Sequence, residues 1–474
     1  MDSRPHRADR VAAFILICGV WTTGLACNTR GRSEPQRPGP PVFYPEPLPK
    51  YAFPLRVSDS HRTLVDRDGR PFLIHGDSPW GLIISPTWDE AIEYLDNRRA
   101  KGITALLIEL IERKAWPHVA PHAPNTAAGL APFLRPGDFS RPNNAYFDYA
   151  HSVLAAVRDR GIAVLLAPAY MGYTGMDEGW WDEMSKADAR ACAAYGAYVA
   201  RRFADLDNIV WVHGGDRIPP PGSSGEACGL AIMRPLLAIP HSLHTGHWNK
   251  GFADDGSLDE PAFAPFMQVD AAYTYKLSYA RCSAEASRQP ALPVFLIETQ
   301  YEGEHNTRPF EFRRQAYWAD LTCGAGQVVG NLPLWPFAAG WQAELESVGT
   351  HDMVYLRELL EPLRWYDLVP DRNHTLITNG YGSWGSTNFV TAASTPDGRL
   401  AIAYIPSTGS RRRTFTAQMG SFSGPVTVRW YNPTRGAFVA VEESPFANRG
   451  LRDFETPGDN GTGQNDWAVV FEAR

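Results

Sequence analysis

From residue 72 onward, short apolar runs alternate with amphipathic helical stretches, and this alternation leaves few folds open. FLIHGDSPW (72–80), TALLIELIE (104–112), IAVLLAPAY (162–170), NIVWVHGGD (208–216), HSLHTGHW (241–248), MQVDAAYTY (267–275), PVFLIETQYE (293–302) and GQVVGNLPLW (326–335) read as strands. TWDEAIEYLDNRRAKG (87–102), NNAYFDYAHSVLAAVRDRG (143–161), KADARACAAYGAYVARRFAD (186–205), RPFEFRRQAYWADLTCG (308–324) and HDMVYLRELLEPLRW (351–365) read as helices. The first helix carries a Thr87 cap, early acids, late arginines and a closing Gly102, the signals of a defined start and stop. Apolar runs of this length, buried on both faces, suit a parallel sheet. Eight such strands over roughly 300 residues predict a (β/α)8 TIM barrel, close to its usual size. A doubly wound open sheet is the competing fold. No G-x-G-x-x-G follows the first strand, which weakens a dinucleotide-binding version of it.

After residue 370 the helical period stops. NFVTAAS, LAIAYIP, RTFTAQM, VTVRWYNP, AFVAV and DWAVVFEA follow, divided by turns such as Pro396-Asp397-Gly398. This texture predicts a small all-β sandwich over 370–474, after an α/β barrel over 55–369. The other end of the chain differs again. MDSRPHRADR is basic, VAAFILICGV apolar, and WTTGLAC small-residue rich, the layout of a secretory signal over 1–27. Gly24-Leu25-Ala26-Cys27 resembles a lipobox and predicts lipidation of Cys27; cleavage after Ala26 and an uncleaved anchor are the alternatives. Residues 28–54 are polar and proline-rich at first, the composition of an extended tether. The chain is therefore expected to be exported to a bacterial periplasm or cell surface, with membrane contact only through the lipid.

A formal net charge of −7 supplies no basic footprint, so nucleic acid is not an expected partner. Cys192, Cys228, Cys282 and Cys323 lie beyond the signal with no C-x-x-C spacing. They allow three pairings, and spacing does not choose among them; no metal and no cofactor are expected. A monomer is expected.

Catalytic groups of a (β/α)8 barrel lie at the C-terminal ends of its strands. His75 and Asp77, then Trp80, end the first; Glu109 lies on the second; Tyr170 ends the third. His213 and Asp216 end the fourth, His247 the fifth, Tyr273 and Tyr275 the sixth, Glu298, Tyr301 and Glu302 the seventh, and Trp335 the eighth. Acids, histidines and aromatics converge at one rim without a cofactor fingerprint. This points to glycoside hydrolysis, which needs one carboxyl to protonate the leaving oxygen and another to attack or to activate water. Their environments must push the two pKa values apart. Asp216 and Glu298 are the predicted catalytic pair, since strands four and seven face each other across the mouth. Each has a structural alternative: Asp216 as a turn cap, Glu298 as the partner of an arginine such as Arg313. His75, Asp77, Trp80, Glu109, Tyr170, His213, His247, Tyr273, Tyr301, Glu302 and Trp335 are predicted substrate contacts. Packing, capping or a solvated loop are their alternatives. His244 and His247 face opposite sides of a strand, which argues against a metal there.

LRVSDSHRTLVDRDGRPFLIHGDSPW, PNNAYFDYAHSVLAAVRDRGIAVLLAPAYMGY, DEGWWDEM, NIVWVHGGD, FLIETQYEGEH and WYDLVPD resemble the apiosidase-like family, related to glycoside hydrolase family 140. VTVRWYNPTRGAFVAV and NDWAVVFEA resemble the collagen-binding-like β-sandwich often appended to it. The resemblance implies a (β/α)8 enzyme that removes apiose from the pectic polymer rhamnogalacturonan II. It also implies an Asp acid/base after strand four and a Glu nucleophile after strand seven, which fall on Asp216 and Glu298. HTGHWNKGF and AAYTYKLSY depart from the family's Gln-Ser-Gly-His-like stretch in loops that would shape the sugar pocket. Two other classes compete: a non-catalytic carbohydrate-binding lipoprotein, and an adhesin whose active part is the sandwich. Nothing in the sandwich sequence argues for collagen.

Overall fold

The computed structural model describes residues 50–113, 122–249 and 254–474. The signal, Cys27 and the tether up to residue 49 lie outside them. Eight parallel strands form the barrel wall: β1 (Ile74–Asp77), β2 (Ala105–Glu109), β3 (Ala163–Ala167), β4 (Ile209–Gly214), β5 (Leu243–His247), β6 (Asp270–Thr274), β7 (Val294–Glu298) and β8 (Gly324–Val329). They pair in the order β5-β4-β3-β2-β1-β8-β7-β6. Every strand run expected from the sequence is present. The ring is nearly closed. A short strand, Asp254–Gly256, pairs antiparallel with the remaining edge of β6, and the N–H groups of Gln268 and Val269 donate to His244 O at 3.0 and 3.3 Å.

The helices are α1 (Trp88–Ala100), α2 (Asn144–Asp159), α3 (Trp181–Lys186), α4 (Ala189–Arg202), α5 (Ser224–Leu236), α6 (Ser278–Glu285), α7 (Pro309–Thr322) and α8 (Val348–Leu360). Thr87 and Glu90 close a capping box on α1, which satisfies two otherwise orphaned N–H groups. The helix expected over 186–205 is α4, which Asp188 caps by accepting from Arg190 N–H; the short α3 lies just before it.

Inside the wall, Ile74, Leu107, Leu165, Val212, Ala271, Phe295 and Val328 form one apolar column. Tyr51, Phe53 and Leu55 join it from below, with the Tyr51 and Phe72 rings 4.6 Å apart. The tether expected through residue 54 therefore ends by residue 50. Burying each of these side chains contributes about 1.5–3 kcal/mol, which no freely extended tether would gain. Cys192–Cys228 ties α4 to α5, and Cys282–Cys323 ties α6 to the end of α7.

From residue 369 the chain builds a six-stranded and a three-stranded antiparallel sheet. One face of the larger sheet packs on the smaller through Val428, Trp467, Val469 and Phe471. The other, with Leu400, Ile402, Tyr404 and Val470, packs on Phe312, Tyr317 and Trp318 of α7. At the centre of that contact Arg313 is 1% exposed. It donates to Asp466 at 2.8 and 2.9 Å and to Asp352 at 2.6 Å. Tyr404 Oη and Asn460 Nδ2 also donate to Asp466.

Candidate active site

The phase of each strand decides which strand-end side chains reach the mouth, because successive residues point to opposite faces. On β4, Val210 and Val212 face inward and Gly214 follows in phase. The chain then turns sharply. Gly214 and Gly215 adopt φ of 89° and 112°, and Asp216 itself sits at φ 46°. A Cβ on Gly214 would lie 2.2 Å from the Trp248 ring, and one on Gly215 2.2 Å from the Tyr170 ring. Only glycine supplies both the backbone angle and the room. The two glycines thus swing Asp216 over the barrel axis in a left-handed conformation uncommon for a residue with a side chain.

Asp216 Oδ1 accepts from Tyr273 Oη and Asn249 Nδ2, both at 2.8 Å. Its backbone N–H donates to His247 Nδ1 at 3.0 Å. His247 Nδ1 is thereby an acceptor, so the ring proton sits on Nε2, which donates to Glu298 Oε2 at 3.2 Å. Tyr275 Oη donates to the other oxygen, Oε1, at 2.9 Å. One imidazole therefore touches both members of the predicted pair. Glu298 enters the mouth because the β6–β7 register shifts there: Ala272 pairs with Leu296, but Tyr273 pairs with Glu298. The irregularity skips Ile297, which is also inward, and re-aims the strand end. Arg313 is committed to Asp352 and Asp466, so it is not the partner of Glu298.

The two carboxyls sit in different surroundings. Burial, and then the charge of Glu298, raise the pKa of Asp216 above the ordinary carboxyl value, against the opposing pull of His247, Asn249 and Tyr273. Glu298 accepts one N–H and one O–H hydrogen bond. Burial opposes charge on His247, but its bond to Glu298 and the carboxylates around it carry the net shift upward. Full protonation would still cost the bond that Asp216 N–H makes to Nδ1.

Around this centre stand Trp80, its Nε1 donating to Tyr301 Oη at 3.0 Å, and Tyr170, its ring 5.4 Å from Trp80. Tyr273 stacks on His247 at 4.6 Å. Glu109 is in phase with Ala105 and Leu107 and so faces inward; burial, then Glu112, push its pKa well up. Trp335 is fixed at the rim by donating to Glu304 Oε1 at 2.8 Å.

Four predicted contacts point the other way. His75 and Asp77 are out of phase with the inward Ile74. His75 packs outside the wall beside Gln327 Nε2, and burial drives its pKa down to about 3. Asp77 accepts from Arg98 Nε at 2.5 Å and Tyr94 Oη at 2.7 Å, tying β1 to α1. His213 is out of phase with Val212; its Nε2 meets His244 Nδ1 at 2.9 Å in a stacked pair behind the sheet. Glu302 accepts from Gly349 N–H, Ser347 Oγ and Asn331 Nδ2, so it caps the start of α8.

Sequence reasoning assigned no role to Tyr275, Asn249, Glu178 or Glu304. Tyr275 was findable, two residues beyond the inward Tyr273. Glu178 accepts from Tyr173 N–H at 2.7 Å. Burial raises its pKa, and the charges of Asp216 and Glu298 add to that. Burial lifts Glu304 to about 7. Glu304 stands with Glu298 and Glu302 among the carboxylates that follow the apolar β7 run, whereas nothing in the spacing of the chain marks Glu178.

The family model described as the apiosidase-like catalytic domain matches residues 58–367. The model described as the collagen-binding domain of a collagenase matches residues 369–472. Among solved structures, a glycoside hydrolase family 5 protein from Bacteroides vulgatus ATCC 8482 is similar at 18% identity and TM-score 0.74, over 90% of this chain and 95% of that one. A second structure, titled a glycoside hydrolase, is similar at 19% identity and TM-score 0.73, over 89% and 97%. These likenesses show the fold. Among curated proteins, none matches the chain significantly.

Proposed function

The chain belongs to the apiosidase-like family and is a glycoside hydrolase, and from that premise we propose that it removes apiose from a pectic polysaccharide of the rhamnogalacturonan II type by a retaining, two-carboxylate mechanism. The observation that carries the reading is the asymmetric pair on one imidazole. Asp216, whose pKa is raised, holds a proton to give to the leaving oxygen. Glu298, held from two sides by Tyr275 and His247, is oriented to attack the anomeric carbon. As the glycosidic bond breaks, the Asp216 proton goes to the departing oxygen and Glu298 gains the glycosyl group. Asp216, now a carboxylate, then takes a proton from water, which displaces Glu298. Trp80, Tyr170 and Trp335 supply flat apolar faces around this point, suited to the C–H face of a sugar.

The test is hydrolysis of pectic side-chain oligosaccharides by residues 50–474, followed by mass spectrometry, with Glu298→Gln as control. Release of a pentose by the wild type alone is expected. NMR of the first-formed anomer should show retention. Inversion would overturn the nucleophile role of Glu298, and release of another sugar would overturn apiose.

The enzyme acts as an exported monomer tethered through Cys27. The two disulfides support export, since such bonds persist in oxidising compartments. Metabolic palmitate labelling of the full chain, lost in Cys27→Ala, is the check.

A further inference from the structure

Along the seam between barrel and sandwich runs a groove of about 330 Å³ that none of the catalytic groups lines. Its barrel wall follows α6, where Ala280, Ser283, Ala284 and, just past the helix, Ser287 stand at helical spacing and form a floor of small side chains. Its sandwich wall carries Arg372 and Trp384. Trp384 is 61% exposed, yet its ring is fixed. It stands 5.1 Å from the Tyr279 ring and 5.2 Å from the Phe389 ring, edge to face in both cases. Tyr279 Oη accepts from Gly385 N–H at 2.8 Å and donates to Ser386 O at 3.1 Å, and Asn388 Oδ1 accepts from Ser383 N–H at 3.0 Å. A lone exposed apolar side chain is ordinary. A large ring locked in place beside a groove and left mostly open to water is not, because its ordering cost falls on folding rather than on binding.

The polar part of the groove is rich in donors. Arg372 is exposed and gives one N–H to Ser287 Oγ at 2.9 Å; among the described residues no carboxylate pairs with it. Its neighbour Asp371 accepts instead from the N–H groups of Thr375, Leu376 and Ile377. A flat aromatic surface, small side chains at its foot and a fan of N–H donors complement a sugar ring, which offers an apolar C–H face and hydroxyl oxygens at its edge. An extended peptide would need an open sheet edge to pair with, and the strand lining this groove, Thr391–Ser394, is paired on both sides. The groove also leads back to the mouth. Thr387, on the loop that carries Trp384, lies beside Lys276 and Leu277, which directly follow Tyr275, a donor to Glu298.

We propose that this seam is a second carbohydrate-binding site, in which Trp384 stacks on a sugar of the same polysaccharide whose terminal unit enters the mouth. The inference rests on the glycosidase reading of the mouth and goes beyond it, since it gives the sandwich a part in holding the polymer. The sandwich then adds affinity for long chains without touching the bond that breaks.

The experiment uses the full chain and has two arms. In the first, the Kd of Glu298→Gln protein for rhamnogalacturonan II is measured calorimetrically. Trp384→Ala in that background is expected to raise Kd about fivefold or more, the worth of one aromatic contact, and Trp384→Phe to recover part of the loss. Ala284→Leu, which fills the floor of the groove and leaves the ring in place, should weaken binding likewise. Undetectable binding with Trp384 present, or binding that survives Trp384→Ala, overturns the proposal whether or not any glycan is cleaved. A loss in Trp384→Ala that comes with a lowered Tm and is not reproduced by Ala284→Leu makes Trp384 a packing residue on Tyr279 and overturns it too. In the second arm, otherwise wild-type enzyme is compared on the polymer and on 4-nitrophenyl apioside, which is too small to reach the seam from the mouth. Trp384→Ala should raise KM on the polymer alone and leave kcat on both substrates unchanged. An equal loss on both substrates overturns the proposal. Polymer binding that depends on Trp384 without release of any sugar would sustain this site and reject the apiose reading.

Discussion

The β4–β7 half of the rim and the β1–β8 edge are built from the same residue types, yet they do opposite things. Both place an acid and a histidine at strand ends. In the first, Asp216, His247 and Glu298 meet over the barrel axis. In the second, His75 turns outward against Gln327 of β8 and Asp77 against Arg98 and Tyr94 of α1, as Glu302 just past β7 does toward α8. The separation is one residue of strand phase, helped in the first half by the Gly214–Gly215 turn and by the skipped Ile297. Composition at a rim is therefore a poor guide to chemistry until the phase of each strand is known.

The sharpest way to break the comparison is to neutralise one acid in each region. Glu298→Gln should lower kcat by about 10⁴-fold or more with little change in Tm, and Asp216→Asn by about 10²–10⁴-fold, the usual worth of a positioned acid. Asp77→Asn should do the reverse. It leaves the buried Arg98 without its counter-charge, a loss of about 3–5 kcal/mol of stability that denaturant unfolding would register, with kcat of the folded fraction unchanged. If Asp77→Asn spared stability and abolished turnover, the division of the rim would be wrong.

Acid separates the outward histidines from the mouth as well. His75, pushed to about 3, and His244, the partner of His213 behind β5, pushed to about 4, are held neutral by burial. The unfolded chain protonates them near pH 6.5, so it binds more protons than the folded chain below that value. Their contribution is intact above pH 6.5 and is lost as pH falls toward about 4 and then 3. The fall in Tm over this window should flatten in His75→Gln. Asp216 works in the other direction. Its folded pKa is raised, so the acid form proposed to protonate the leaving group is lost as pH rises through it, and kcat/KM should decline on the alkaline side. Asp216→Asn should remove that limb from any residual rate. The smallest expected effect is that of Tyr275→Phe, which deletes one of two donors to Glu298. A loss of about tenfold in kcat is expected, near the worth of one hydrogen bond to a charged group.

Eight strands, five helical stretches and the change of texture near residue 370 were legible because long apolar periods report burial directly. Three helices were not, the six-residue α3 among them. The stretch forming α5, SGEACGLAIMRPL, contains three residues that disfavour helix interiors, Gly225, Gly229 and Pro235. The eight residues of α6 are too few to show a period. The positions of Asp216 and Glu298 at the mouth were legible from their place after buried strands. His213 was misread because two glycines after it draw attention to the whole motif, whereas its own phase, one after the inward Val212, sends it behind the sheet. The register shift at Ile297 left no mark in the sequence. Glu178 and Glu304 lie on loops, where no period exists to say which way a side chain points.

The clamp of Arg313 on Asp352 and Asp466 has a consequence for how such a chain can be inherited. A cationic side chain this deeply enclosed needs an acid from each part of the protein at once. A barrel that shed its sandwich in one event would keep a half-paired guanidinium and bare the Tyr317 and Trp318 face. The loss would have to be accompanied by new polar residues along α7, the helix that directly follows the strand bearing Glu298. The sandwich should therefore be inherited with the barrel rather than gained and lost freely, and substitutions at 313, 352 and 466 should drift together.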